Sequence, residues 1–426
     1  MNTYTKKDIV EMKELFIMRS NGHRSLFPVI VGIDKQVENI FAVPEKDAIG
    51  TIDIDNAISF LEFVNDKVKI RIIKKNFAEE VSGEYDFFFT PVYSDTDITY
   101  AQSRWLINQN LRTKENRTVF VINNLDDWIG NLAVLNAEKG IFVIEVLKGW
   151  AKGSGRAYKK FLNIGTLENE DFIPIAVVEG GLYDGLPGSI YASDYSPWAV
   201  KDGILFVFDE DSKTVKAFNE NGITVDHPFS GIFNRNHKKL RKVREISFHP
   251  ELPFGLVVDA GEVPDIRELQ EQRNNGLISM AQYRELLKPL TEESLRHAIW
   301  LVRWDTDDEN RQFVPLMSLA GNLIPFIDDV KMCSDFQFSP DGTWLVFRDN
   351  TQTVENPVFV SIPVSPDKPL FFGEPLYLGQ VLREGMMVGA KGSAWIDKPT
   401  SFVVTDGQAL YKWELGNIDK SRVINQ

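Results

Sequence analysis

The feature that most constrains this chain is a repeated pattern of two short strands joined by a turn. Its best copy, residues 335–349, reads DFQFSPDGTWLVFRD, in which a Ser-Pro-Asp-Gly turn separates two apolar runs. The second half recurs 57 positions later, where residues 400–406 read TSFVVTD. An earlier copy, residues 245–259, ends 90 positions before the best copy, and 33 of those positions belong to the polar stretch 265–297. Without that stretch the spacing is again 57.

A fourth, looser copy at residues 197–209 ends 50 positions before the third. From about Arg117 onward, short β-branched or aromatic runs alternate with Gly, Asn, Asp and Pro, a pattern typical of β-strands joined by turns. A spacing of 50 to 57 residues with about four strands per repeat is typical of four-stranded sheets arranged around an axis. The sequence therefore predicts an all-β chain that folds as a β-propeller of about seven blades, with about two blades before Arg117.

The turn pattern FSPDGTWLVF at residues 338–347 resembles the repeat of TolB-type and WD40-like propellers, in which a Ser-Pro-Asp-Gly turn joins the first two strands of a blade. Weaker copies at residues 248–258 and 395–404 extend the resemblance to roughly a quarter of the chain. The resemblance implies blade structure and no particular activity.

Residues 25–426 are assigned to the propeller, and the stretch 25–116 forms either irregular blades or a small α+β part. The last repeat lacks a fourth strand. The apolar run FPVIVGI, residues 27–33, is predicted to supply it. Such pairing of the two ends of the chain removes the exposed strand edges of an open ring.

Two stretches near the N-terminus are predicted to be helical. Residues 1–24 form an N-terminal helical segment, because Ile9, Met12 and Phe16 recur at helical spacing before an Asn-Gly pair. A short helix is also expected within residues 53–66.

A helical insertion is predicted at residues 263–297, inside the propeller. Pro264 suits a helix start, Asn-Asn-Gly at 274–276 ends the first helix, and Ser279 with Gln282 has the form of a capping box for the second. The insertion is therefore expected to be a helical hairpin that projects from one blade.

Composition narrows the classes of partner. Forty-seven Lys and Arg against 61 Asp and Glu give a formal charge of -14, which disfavours nucleic acid as a general partner. Cys333 is the only cysteine, so no intramolecular disulfide forms. No run of about 20 apolar residues and no secretory signal is recognisable, so we expect a cytoplasmic protein without a membrane partner.

Motifs for catalysis and cofactors are missing from the sequence. The loop GWAKGSGR at residues 149–156 lacks the Gly-Lys-Ser/Thr end of a phosphate-binding loop, and no Gly-x-Ser-x-Gly elbow occurs. The five histidines form no pair at metal-ligand spacing, and His249 replaces the serine of the blade turn, which predicts a hydrogen-bonding role there. We expect no cofactor and no metal. The acidic pairs are expected to belong to turns, although acids from different blades can meet without leaving a local motif.

Candidate partner-binding residues come from a basic cluster and from the insertion. Residues 235–244 carry six cations in an otherwise acidic chain, and a sparser cluster spans residues 148–160. The predicted contact residues are Arg235, Lys238, Lys239, Arg241, Lys242, Arg244, Arg267, Arg273, Tyr283 and Arg284.

Three functions are compatible with these features. The leading hypothesis is a non-enzymatic scaffold that binds a protein partner through rim loops and the helical insertion. One alternative is a propeller hydrolase of lactonase-like type, with a divalent metal on the ring axis. The other is nucleic-acid or phosphate binding at the 235–244 cluster. The sequence leaves the oligomeric state and the identity of the partner open.

Overall fold

The computed structural model describes residues 17–18, 24–26, 28–33, 36–43, 48–53, 58–64, 67–74, 88–93, 97–102, 104–110, 112–113, 115–148, 157–168, 171–182, 197–236, 243–259, 267–294, 298–315, 333–349, 358–364, 376–378, 382–383, 386–387, 392–396 and 400–418. These residues are mostly strands, arranged in several small, mainly antiparallel sheets.

The first half of the described chain forms three short strands followed by three four-stranded sheets. The short strands are β1 (Ile17–Met18), β2 (Arg24–Leu26) and β3 (Val29–Gly32). Sheet 1 contains β4 (Val37–Ala42), β5 (Ala48–Asp53), β6 (Ile58–Val64) and β7 (Lys67–Lys74). Sheet 2 contains β8 (Phe88–Tyr93), β9 (Asp97–Gln102), β10 (Trp105–Asn110) and β11 (Asn116–Val121). Sheet 3 contains β12 (Trp128–Asn136), β13 (Ile141–Leu147), β14 (Ala157–Thr166) and β15 (Phe172–Leu182).

The described helices lie in the connection between the next two sheets and in the connections of the second of them. Sheet 4 contains β16 (Trp198–Lys201), β17 (Ile204–Asp209), β18 (Thr214–Phe218) and β19 (Thr224–Val225). Helix α1 (Pro228–Asn236) follows it. Sheet 5 contains β20 (Val243–Phe248), β21 (Phe254–Asp259), β22 (Ala298–Arg303) and β23 (Phe313–Pro315). Its connections carry α2 (Arg267–Asn274), α3 (Met280–Ser294) and α4 (Glu309–Gln312).

The last two large sheets each take strands from both ends of the chain. Sheet 6 contains β24 (Cys333–Phe338), β25 (Trp344–Asp349), β26 (Val358–Pro363) and β27 (Leu376–Leu378), extended at its edge by β2 and β1. A two-stranded sheet contains β28 (Leu382–Arg383) and β29 (Met386–Met387). Sheet 7 contains β30 (Gly392–Ile396), β31 (Ser401–Thr405) and β32 (Ala409–Glu414), with β3 as its fourth strand.

The four sequence copies begin four different sheets, since they supply the first two strands of sheets 4, 5, 6 and 7. Turn chemistry explains the hairpins. Asp202 and Gly203 both have positive φ (50° and 75°) between β16 and β17, as a two-residue Asp-Gly turn requires. In sheet 6 the hydroxyl of Ser339 accepts a hydrogen bond from the backbone of Trp344 (2.9 Å) and donates one to Asp341 (2.5 Å).

The strand predicted from residues 27–33 is confirmed. Strand β3 pairs antiparallel with β32, with Val29 opposite Lys412 and Val31 opposite Leu410. The seventh sheet therefore joins the two ends of the described chain.

Two predicted helices are wrong where the structure describes them. Ile17 and Met18, within the predicted N-terminal helical segment 1–24, form a strand that pairs with β2, while residues 1–16 and 19–23 lie outside the described residues. The expected helix within 53–66 is replaced by β6, which pairs with both of its neighbours in sheet 1. In both cases pairing with neighbouring strands overrides a weak helical periodicity. All elements described within 25–116 are strands.

Apolar clusters lie where one sheet packs on the next. They join sheets 1 and 2, 2 and 3, 3 and 4, 4 and 5, and 6 and 7. Sheets 5 and 6 meet through Phe254 and Phe338, whose ring centroids are 5.7 Å apart. A further cluster, which includes Ile40 and Leu410, joins sheet 7 to sheet 1. Each of sheets 1 to 6 thus has an apolar contact with the next numbered sheet, and sheet 7 has one with sheet 1.

Candidate functional site

The helical insertion connects β21 to β22, the second and third strands of sheet 5. Its second helix begins with the predicted capping box, in which the backbone amide of Gln282 donates to the Ser279 hydroxyl (3.2 Å). The Gln282 side chain accepts from the Ser279 amide in return (2.9 Å). Two helices thus lie within the predicted insertion 263–297, whose described part begins at Arg267 and ends at Ser294.

Helix α2 ends in a Schellman motif. The amide of Leu277 donates to the Gln272 carbonyl (2.8 Å), and that of Gly276 donates to the Arg273 carbonyl (3.0 Å). Gly276 has φ of +70°, a conformation that suits glycine. The motif reverses the chain and leaves Leu277 at the tip with 73% of its surface exposed.

An apolar row runs along α3 from this tip. Met280, Tyr283 and Leu286 are three residues apart, a spacing that places side chains in a row along a helix. Met280 and Leu286 at the two ends of the row are 52% and 49% exposed. Leu277, Met280 and Leu286 are thus the exposed large apolar side chains of the described hairpin, and we call these three residues together the hairpin tip surface.

Tyr283, predicted as a contact residue, is buried instead, with 3% exposure. The Arg273 guanidinium lies over its ring at 4.9 Å from the centroid, so these two predicted contact residues stabilise the hairpin. Arg284 is exposed on α3, as a contact residue must be. Arg267 is the first residue of α2.

The described residues of the basic cluster at 235–244 lie in two different elements, a helix and a strand. Arg235 lies in the last turn of α1, where its guanidinium donates to the Gln312 side chain (3.0 Å). Arg244 lies in strand β20 and is only 2% exposed, so its assignment to a partner-binding surface is wrong. The reason is a bulge between Val243 and Glu245, which turns the extra residue of β20 into the protein. The remaining predicted residues lie outside the described residues, namely Lys238, Lys239, Arg241 and Lys242.

The described strands on either side of the insertion are paired in sheet 5, and the strand that follows the basic cluster pairs with the first of them. Val243, which follows residues 237–242, is the register partner of Asp259, the last residue of β21 and the last described residue before the insertion. Asp259 is also the partner of Ala298, the first residue of β22. Val243, Asp259 and Ala298 are therefore aligned at one end of the strands of sheet 5.

The sparser basic cluster has structural partners where it is described. Lys148 forms an ion pair with Asp127 (3.0 Å), and Lys160 forms one with Glu145 (3.2 Å). Glu145 also accepts a hydrogen bond from the indole N–H of Trp198 in sheet 4 (2.7 Å). Lys160 and Glu145 are both buried, so this pair belongs to the boundary between sheets 3 and 4.

Sequence reasoning missed an acidic pair between sheets 5 and 6. Glu245 in β20 accepts hydrogen bonds from the backbone amides of Asp335 (3.1 Å) and Phe336 (2.7 Å). A bulge in β24 between Ser334 and Gln337 frees these amides. The two acids are 90 positions apart in the sequence, so no local spacing predicts that they meet.

The surroundings of Glu245 favour its protonated form. Desolvation, reinforced by the Asp335 carboxylate, raises the pKa of Glu245 from 4.5 to about 8, although Arg244 and the two amides oppose the shift. Because the folded state then binds a proton that the unfolded state lacks, this group's contribution to stability falls as pH rises between these values.

We expect the Glu245→Gln variant to lose this pH dependence. The wild type should lose up to about 1.4 kcal/mol of unfolding free energy per pH unit relative to the variant across that window. Urea unfolding of both proteins at several pH values measures the difference. Parallel pH profiles would show that Glu245 is ionised in the folded protein.

The sequence analysis also made predictions about metal ligands and about polar residues in turns. Among the described residues, no group of three or more His, Cys, Asp or Glu side chains is placed to hold a metal ion. His249 has a hydrogen-bonding role in the turn between β20 and β21, as the sequence predicts, since its Nδ1 accepts from the amide of Leu252 (2.8 Å). Asp209 accepts from the amides of Asp211 and Ser212 (3.1 Å each), as expected for a turn acid.

Within the described chain, none of the helices has the length and apolar character needed to cross a bilayer. The chain was compared with protein-family models and with curated proteins. No family model matches it, and neither does any curated protein at a significant level.

Proposed function

We propose that this protein is a seven-bladed β-propeller that acts as a non-enzymatic scaffold and binds a protein partner through the hairpin tip surface. The ring is supported by the order of packing, because each sheet packs on its successor and an apolar cluster joins sheet 7 to sheet 1. The pairing of β3 with β32 supports closure of the ring within the last blade.

The observation that carries the binding proposal is the exposure of Leu277, Met280 and Leu286. Large apolar side chains grouped on a projecting element mark protein interaction sites more often than they occur at random on a soluble surface. Exposed apolar side chains on a helix can serve as anchors in an apolar groove of a partner.

The hairpin is also built to hold these residues in place. The capping box fixes the start of α3, and the Schellman motif fixes the end of α2. The contact between Arg273 and Tyr283 ties the helices together. A rigid hairpin loses little conformational entropy on binding, which favours affinity.

We expect a variant with Leu277→Ser, Met280→Gln and Leu286→Gln to lose at least about tenfold of its partner recovery, because apolar anchors dominate such interfaces. Quantitative affinity capture with wild type and variant measures the change. The matched control carries Glu268→Gln, Glu271→Gln and Glu285→Gln on the same hairpin and should keep its partner. Both variants should keep the thermal midpoint of the wild type, because exposed substitutions change stability by only about 0.5 kcal/mol.

Equal recovery by the wild type and the apolar variant would contradict the proposal. So would a wild type that enriches no protein above the bare support.

A further inference from the structure

The turn between β20 and β21 places His249 at the boundary between sheets 5 and 6. Its ring is only 1% exposed. Nδ1 accepts hydrogen bonds from the backbone amides of Glu251 (3.1 Å) and Leu252 (2.8 Å) in its own turn. Nε2 lies 2.9 Å from the Gly342 carbonyl oxygen in the turn of sheet 6, and a carbonyl can only accept. The imidazole is therefore neutral, with its proton on Nε2.

The neighbouring turn is shaped to receive this ring. A Cβ atom on Gly342 would lie 2.2 Å from Cε1 of His249, so only glycine permits the contact. The same turn reaches sheet 7, because the Thr400 hydroxyl donates to the Asp341 carboxylate (2.8 Å). On the other side, Lys201 of sheet 4 donates to the carbonyl of Pro250. The turns of sheets 4 to 7 thus contact one another in series, and His249 is the one titratable ring described in that series.

A second proton on His249 is incompatible with this arrangement. It would occupy Nδ1, and Nδ1 would then be a donor facing the amides of Glu251 and Leu252. Two backbone amides would lose their acceptor inside the protein, which is costly. Relief requires the turn to open and the ring to leave Gly342.

We propose that His249 makes the boundary between sheets 5 and 6 acid-sensitive, so that protonation of its ring opens the β20–β21 turn and loosens its contact with sheet 6. This proposal is independent of the partner-binding proposal, because none of these residues belongs to the hairpin tip surface.

The charges around His249 come from three sheets. Glu251 in the same turn and Asp341 in sheet 6 favour the protonated ring, and Lys201 of sheet 4 opposes it. The remaining neighbours are the apolar rings of Phe254 (4.8 Å) and Phe338 (5.2 Å). Burial is the largest effect and holds the pKa of His249 below its usual value of 6.5.

The sign of the pH effect follows from this shift. Below pH 6.5 the opened turn takes up a proton that the closed turn excludes, so acidification favours opening. Above that pH both forms are neutral and the contact is fully stable. Glu245, in β20 at the same boundary, has the opposite dependence, because its raised pKa favours the closed state at lower pH. A local measurement must therefore separate the two groups.

Hydrogen exchange of individual amides provides that measurement. After correction for the intrinsic exchange rate, the opening equilibrium reported by the amides of Glu251 and Leu252 should rise by up to about tenfold per pH unit below pH 6.5. The amide of Gly222, which donates to Asn219 in a turn of sheet 4, is the control and should not follow this dependence. Unchanged protection of Glu251 and Leu252 on acidification would overturn the proposal.

The His249→Asn variant identifies the group responsible. Its side-chain oxygen can replace Nδ1 as an acceptor for the two amides but does not titrate, so the pH dependence should disappear while protection at neutral pH is retained. Persistence of the wild-type pH dependence in this variant would overturn the proposal. The ¹⁵N shifts of the wild-type imidazole give a test that needs no variant, because a protonated Nδ1 at neutral pH would also contradict it.

Discussion

The Lys160→Met variant should unfold about 3–5 kcal/mol more easily than the wild type, because it leaves the carboxylate of Glu145 buried without its cation. Lys160 and Glu145 each keep only 3% of their side-chain surface exposed. Glu145 lies between sheets 3 and 4, where Trp198 of the next sheet donates to it. The loss should therefore weaken the contact between these two sheets. Chemical unfolding monitored by tryptophan fluorescence measures the change.

Two further variants establish that burial is the cause. Lys139→Met makes the same substitution in the exposed ion pair with Glu220, whose lysine is 59% exposed, and should cost no more than about 1 kcal/mol. Adding Glu145→Gln to Lys160→Met removes the buried charge and keeps an acceptor for Trp198, so stability should partly return. Equal losses for Lys139→Met and Lys160→Met would show that the buried pair is not critical.

A disulfide between β3 and β32 should stabilise the protein by about 4 kcal/mol, because it links two residues separated by almost the whole chain and restricts the unfolded state. Val29 and Lys412 are suitable, since they are register partners on adjacent strands. The Val29→Cys and Lys412→Cys changes are made with Cys333→Ser, which removes the one native thiol.

The substitution of Lys412 by cysteine also removes two native contacts. The Lys412 ammonium lies 4.7 Å from the centroid of the Phe63 ring and 3.7 Å from the Glu414 carboxylate. Its loss should therefore destabilise the reduced protein. Both the oxidised and the reduced form of the variant lack Lys412, so comparing their unfolding free energies isolates the effect of the disulfide. A reduced form as stable as the oxidised form would mean that the terminal strands do not restrict unfolding.

The repeat in the sequence predicted the sheets well because it depends on local chemistry. Asp259 and Asp349, aligned by the repeat, both end the second strand of a sheet, opposite the first residue of the first strand. Asp53 has the same position in sheet 1. The residues before it lack a Ser-Pro-Asp-Gly turn, so the repeat was not recognised there in the sequence. Asp406 was aligned with these residues and instead follows β31, where it accepts from the amides of Gln408 and Ala409 (2.7 Å each).

The candidate site was predicted less completely because burial depends on distant contacts. The capping box of α3 was recognisable because Ser279 and Gln282 are neighbours in sequence. Arg244 reads as part of a solvated basic run, but a bulge turns it inward. The sequence predicted that Tyr283 is exposed on the helix, but the Arg273 guanidinium lies over its ring. Such placements are set by strand register and packing between sheets, which a single sequence does not specify.

The most direct test of the proposed ring is the yield of the 29–412 disulfide in the folded protein, measured by peptide mapping after mild oxidation. We expect near-complete linkage in the folded state and little linkage in urea. The pair Ile30→Cys and Lys412→Cys is the control, because adjacent residues of a strand point to opposite faces and this pair should not close. Free thiols at positions 29 and 412 in the folded protein, or equal linkage of the control pair, would contradict pairing of the two ends of the chain and with it the closed propeller.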